Sequence, residues 1–161
     1  MFIQAKRCDL IFLDSGTIAG KVVKWWTDSI FDHVEICLGD RKVIGARPKG
    51  GVRVRDIAPL ESEKWCLCRP AITLSDKDQE AIVNFTMSQI GHGYDFMGLL
   101  GFPLDRSIDN PNKWFCSEFV SRAFNKGNYP LIPRKSPNMV PPELLFQSWR
   151  VIPISSNFLK F

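Results

Sequence analysis

Histidine, tyrosine and long uncharged runs are scarce in this chain of 161 residues, and each shortage narrows what the chain can do. Only His33 and His92 are present, and Cys66-x-Cys68 lacks the spacing of a zinc-binding pair, so a four-ligand zinc site would need an unusual donor set. No metal site is expected. The cysteines, at positions 8, 37, 66, 68 and 116, are odd in number and no export signal precedes them, which argues against a disulfide framework. Uncharged stretches such as Phe96 to Leu104 fall far short of the ~20 residues that a bilayer-crossing helix requires. Lys6, Arg7 and Asp9 arrive before any apolar run long enough for a secretory signal, so a cytoplasmic location is expected. The net charge of +4 is mild and gives no reason to expect nucleic acid as a partner.

What is present suffices for a core: 45% of the residues are hydrophobic, with 12 Phe and 5 Trp. The length suits a single domain spanning residues 1–161. Asp9 to Leu13 reads as a buried strand closed by Asp14-Ser15-Gly16, and Ile18, Val22, Val23 and Trp26 recur at helical spacing, predicting a helix over 17–27. His33 to Leu38 alternates Val34, Ile36 and Leu38 against His33, Glu35 and Cys37, as a half-buried strand does. Lys42 to Ala46, Val52 to Ile57 and Lys64 to Pro70 follow as strands separated by turns. Ser75-x-x-Asp78 resembles a capping box opening a helix that ends near Gly91. Tyr94 to Gly101 reads as a short helix and 105–113 as a loop. Cys116 to Lys126 is an amphipathic helix with Phe119, Val120, Ala123 and Phe124 inside. After a stretch rich in proline, Glu143 to Trp149 forms a short helix and Val151 to Ile154 a last strand. Strands grouped together and helices set apart predict an α+β fold whose antiparallel sheet is covered on one side.

The chemistry concentrates at Trp114-Phe115-Cys116-Ser117-Glu118, where a cysteine opens a helix. Unpaired N–H groups and the positive helix end favour a thiolate, so the Cys116 pKa is expected below the free value of about 8.5. A nucleophile of this kind needs a base, usually an imidazole. His33 is the better of the two candidates, because Glu35 shares its strand face ~7 Å further along. A lone helix-start cysteine is otherwise usually a small packing residue.

Taken together, the blocks Asp9-Leu-Ile-Phe-Leu, Asp32-His33-Val-Glu35-Ile, Gly39-Asp40, Val43-Ile44, Arg47-Pro-x-Gly-Gly51-Val, Gly93-Tyr-Asp95 and Trp114-Phe-Cys116-Ser-Glu118-Phe-Val resemble the circularly permuted papain-like cysteine hydrolases. These belong to the NlpC-type superfamily, close to its YiiX-like members and more distantly to lecithin retinol acyltransferase. The resemblance implies a permuted papain-like fold, a sheet or partial barrel packed against helices, with Cys116 as nucleophile and His33 as base. It also implies an acyl-enzyme, with no cofactor. Related proteins carry a third polar residue some twelve positions after the histidine. Here that position is Gly45, and Glu35 is the nearest acidic substitute.

On that resemblance the expected activity is amide cleavage in a peptide-like or cell-wall-derived substrate. Alternatives are a thiol acyltransferase or lipase in peripheral contact with a membrane, and a binding module without turnover. The basic residues Arg47, Lys49, Arg53 and Arg55 could hold an anionic substrate or a phospholipid head group, or form a solvated strand face. Tyr94 and Asp95 could line the site, or pack and cap. Cys66 and Cys68 read as packing residues, and His92 as an exposed residue at a helix end.

Overall fold

The structure, a computed structural model, describes residues 5–16, 20–21, 24–25, 29–58, 62–95, 112–137 and 140–158. Alternation of apolar residues builds the strands β1 (Leu10–Asp14), β2 (His33–Gly39), β3 (Lys42–Arg47), β4 (Gly51–Asp56) and β5 (Lys64–Pro70). Two short strands, β6 (Gly93–Tyr94) and β7 (Lys113–Trp114), and a last strand, β8 (Val151–Ser156), complete the set. Three helices lie wholly among the described residues, α1 (Asp76–Ser88), α2 (Cys116–Lys126) and α3 (Pro142–Phe146). Strands β1 to β5 and β8 form one antiparallel sheet in the order β4-β3-β2-β1-β5-β8, while β6 and β7 pair in parallel beside it. With β4 and β8 as its outer strands, the sheet is open and no barrel closes among the described residues, and β4 is bonded on its outer side to Gly91 and His92 through Val52.

Turn chemistry sets the register. Asp40 and Arg41 take φ values of 48° and 58°, the positive pair that a tight hairpin turn demands, and the ladder beyond them matches Ile36 with Ile44. The next turn places Gly45 opposite Arg53. One face of the sheet, with Leu10, Phe12, Val34, Ile36 and Ile44, packs against α1 and α2 in the main core. Helix α2 buries the expected stripe of Phe119, Val120, Ala123 and Phe124, and each phenylalanine so placed stabilises the fold by about 1.5–3 kcal/mol. Ser75 caps α1, accepting the Asp78 N–H at 3.1 Å.

Two expectations need correction. The central strands are buried on both faces, because Ile11, Leu13, Cys37, Val43, Ile57, Trp65 and Leu67 form a second apolar cluster. Tyr94 ends a two-residue strand instead of starting a helix, and its partner strand, Lys113–Trp114, begins at the last residue of the segment read as a loop. Ahead of the expected helix, the Ser15 N–H and hydroxyl both donate to Asp32. Within 17–27, Gly20, Lys21, Lys24 and Trp25 are helical, and the remainder, including Trp26, lies outside the described residues, as do 96–101. Among the described residues no helix is long and apolar enough to cross a membrane.

Candidate active site

The site begins where two strands part. Cys37 donates its N–H to Asp9 on the β1 side at 2.8 Å, so alternation turns the N–H groups of Glu35 and His33 the same way and those of Val34 and Ile36 toward β3. Yet β2 and β3 pair only from Ile36 and Ile44 toward their turn, although β3 runs on to Arg47 beside β4. The start of α2 meets this opening, and the Val34 N–H points at Sγ of Cys116, as does the N–H of Ser117. The thiol therefore lies beside the peptide unit that joins His33 to Val34. Phe115, at the N-cap of α2, contributes no side-chain hydrogen bond to the helix start.

The expected lowering of the thiol pKa is not what the structure shows. Cys116 is fully buried, and burial pushes its pKa up to about 12, with the charges of Asp32 and Glu35 adding to the rise. The two backbone N–H groups pull the other way and lose. A helix end stabilises a thiolate only while the sulfur keeps some solvent, and here it keeps none. Among the described residues no hydrogen bond joins Sγ to the His33 ring, which is itself 5% exposed.

His33 and Glu35 come together directly. His33 Nε2 lies 2.9 Å from Oε1 of Glu35, whose side chain is wholly buried. The same oxygen accepts Arg47 Nε at 2.7 Å and Arg55 Nη2 at 2.5 Å. Burial alone would raise the Glu35 carboxyl, but the hydrogen bond and charge of His33, with the charges of Arg55 and Arg47, hold it well below the usual carboxylate range. An ionised carboxylate can only accept, so Nε2 carries a proton in this contact, and in the neutral ring the lone pair is on Nδ1. Gly45 explains how Glu35 fits. A Cβ at position 45 would lie 2.9 Å from Glu35 Cγ, so the carboxylate arm occupies the space that a side chain at 45 would fill.

Arg47 and Arg55 were not singled out from sequence as parts of this cluster, and the reading of a solvated basic face is wrong for both. Their side chains are 22% and 15% exposed, and Arg47 also reaches Glu63 at 3.3 Å. The register of the two hairpins explains the grouping: it brings Glu35, Gly45 and Arg53 to one face, which puts Arg47 and Arg55 there too.

Other candidates fall around this centre. Asp32, buried, accepts the Ser15 N–H at 3.0 Å and the Ser15 hydroxyl at 2.5 Å. Tyr94 packs on Phe115 with ring centroids 5.9 Å apart, and burial, followed by the nearby charges of Cys116 and Asp32, raises its phenol well above the ordinary value. Asp95 donates its N–H to the Trp114 carbonyl at 3.0 Å. His92 is half-buried, not exposed as expected, and its Nδ1 accepts the Trp114 indole N–H at 3.2 Å. Cys66 and Cys68 sit in the core with their sulfurs 3.7 Å apart. Among the described residues no group of three or more His, Cys, Asp or Glu side chains is placed to hold a metal ion.

No protein-family model matches the sequence, and no curated protein does. Among solved structures the chain is similar to the crystal structure of the metalloprotein YiiX from Escherichia coli O157:H7, with a TM-score of 0.73 and 17% identity over 95% of this chain and 98% of that one. The fold is YiiX-like. The likeness extends over nearly the whole of both chains, so the α+β architecture with an antiparallel sheet stands as expected. Within this YiiX-like fold the strand bearing His33 precedes the helix bearing Cys116.

Proposed function

We propose that the chain is a cysteine hydrolase that cleaves an amide bond in a peptide-like substrate. Cys116 is the nucleophile, His33 the base, and Glu35 the residue that positions the imidazole. The observation that carries this reading is the His33–Glu35 contact at 2.9 Å on the strand whose next N–H points at the Cys116 sulfur. With Nε2–H committed to Glu35, the lone pair of Nδ1 is the one left to take the thiol proton.

Because the buried thiol holds its proton, deprotonation accompanies attack. Sγ bonds to the carbonyl carbon as its proton passes to His33, and the imidazolium then returns that proton to the departing amine as the C–N bond breaks. Water, deprotonated by His33, hydrolyses the thioester. The Cys116 N–H at the helix start suits the oxyanion. The YiiX of the crystal structure is described as a metalloprotein. The residues here do not fit such an ion: the one carboxylate oxygen beside His33 already accepts three donors, two of them guanidinium groups whose charge opposes a cation. No step is routed through a metal.

The complete burial of Cys116 and its high pKa favour one other reading, a binding module without turnover. The lipid-directed alternative loses part of its support, since Arg47 and Arg55 are turned toward Glu35. A panel of amides and esters assayed with wild type beside C116A is the test. Hydrolysis by wild type that C116A lacks, with a thioester on Cys116 trapped at low pH, is expected. Equal rates for the two proteins across the panel leave the binding module standing.

A further inference from the structure

We infer that Arg47 and Arg55 are positioning residues of the same site, which set the pH range over which His33 works by holding the Glu35 carboxylate. The inference rests on the cysteine-hydrolase reading. Three donors converge on one oxygen, Oε1, while Oε2 of Glu35 is buried with no hydrogen-bond partner among the described residues, so the orientation of the carboxylate hangs on a single atom. Two of those donors are arginines, one from β3 and one from β4, and Arg55 also donates to the Gly45 carbonyl at 3.3 Å, beside the space that the Glu35 arm fills. As a device for stability the arrangement is poor, because Arg47 Nη2 and Arg55 Nε and Nη1 are buried without partners. As a device for electrostatics it is direct. Each guanidinium opposes protonation of the neighbouring imidazole, and the carboxylate favours it.

The titratable and charged groups linked to the His33–Glu35 pair are Cys37 on β2, Arg47 on β3 with Glu63 against it, Arg55 on β4 with Arg53 beside it, and Cys116 on α2 with Asp32 near its sulfur. Of these, Arg47 and Arg55 alone share the oxygen that bonds His33 among the described residues. Taking either cation away leaves a carboxylate that attracts a proton onto His33 more strongly, so the base is lost at a higher pH. Taking the carboxylate away acts in the opposite sense.

The test follows alkylation of Cys116 by iodoacetamide in the full chain across pH, resolved from the other cysteines by peptide mass spectrometry. In wild type the rate has an acid limb that H33A abolishes. R55M is expected to move that limb up by about one pH unit and R47M by less, E35Q to move it down, and R55K to restore the wild-type position. Thermal melts confirm that each variant is folded. If the limb stays in place in both R55M and R47M while remaining dependent on His33, the role of the arginines is overturned. If wild type itself shows no limb dependent on His33, the cysteine-hydrolase reading falls and this inference with it.

Discussion

Both histidines of the chain lie near the start of α2, and their hydrogen bonds run in opposite directions. His33 donates from Nε2 to an ionised carboxylate, which in the neutral ring leaves Nδ1 with the lone pair that a base needs. His92 accepts at Nδ1 from the Trp114 indole, two residues before Cys116, so its lone pair is already used and the other nitrogen carries the proton. Nearness to the nucleophile's helix is common to both. What separates a base from a structural ring is whether its partner accepts or donates.

The largest expected break in that contrast comes from removing each ring. H33A should slow Cys116-dependent hydrolysis by 10²–10⁴, roughly the range for loss of a general base, while H92A stays near the wild-type rate. Steady-state kinetics on any amide that wild type cleaves decides it, and equal losses in the two variants would erase the distinction. Next in size is G45A, which touches neither Cys116 nor His33 in its stated purpose. Its new Cβ would press on Glu35 Cγ at 2.9 Å and on Cβ and Cδ at 3.4 Å, displacing the carboxylate from Nε2. A displacement of that kind should cost up to about 100-fold in rate, and an unchanged rate shows that Glu35 does not position His33.

The fold was largely legible because its signals are local. Alternation gave the strands, Ser75 and Gly127 bracketed helices, and the 116–126 stripe fixed which side of α2 faces the sheet. At the site, strand parity already put Glu35 with His33, and Cys116 at the start of its helix. Two things were not legible. The pKa of Cys116 depends on how completely other segments cover it, which no window around residue 116 contains. The arginine pair on Glu35 depends on the register of two successive hairpins, and a stretch of basic residues read alone looks like solvated surface. His92 failed for the same reason, since its indole partner is 22 residues away.

A third prediction sharpens the contrast through acid stability. Glu35 has its folded pKa depressed, so its contribution is fully present above the unfolded value of about 4.3 and is lost as pH falls below it. E35Q has no such proton to gain. Denaturant melts should therefore show wild type losing stability between about pH 5 and pH 2 more steeply than E35Q, and parallel curves would mean that the arginines and His33 do not hold the carboxylate ionised.

The smallest effect belongs to the other histidine. W114F removes the indole N–H that donates to His92 Nδ1 at 3.2 Å, while the six-membered ring can keep part of the packing against Phe85 and Phe119. His92 is only half-buried, so water can replace the lost donor, and the cost at neutral pH should be about 1 kcal/mol by urea denaturation. A double-mutant cycle with H92A separates the causes. If W114F costs little in the H92A background, the loss belongs to the hydrogen bond, whereas additive losses would assign it to packing under Arg122, whose guanidinium lies 5.6 Å from the Trp114 ring.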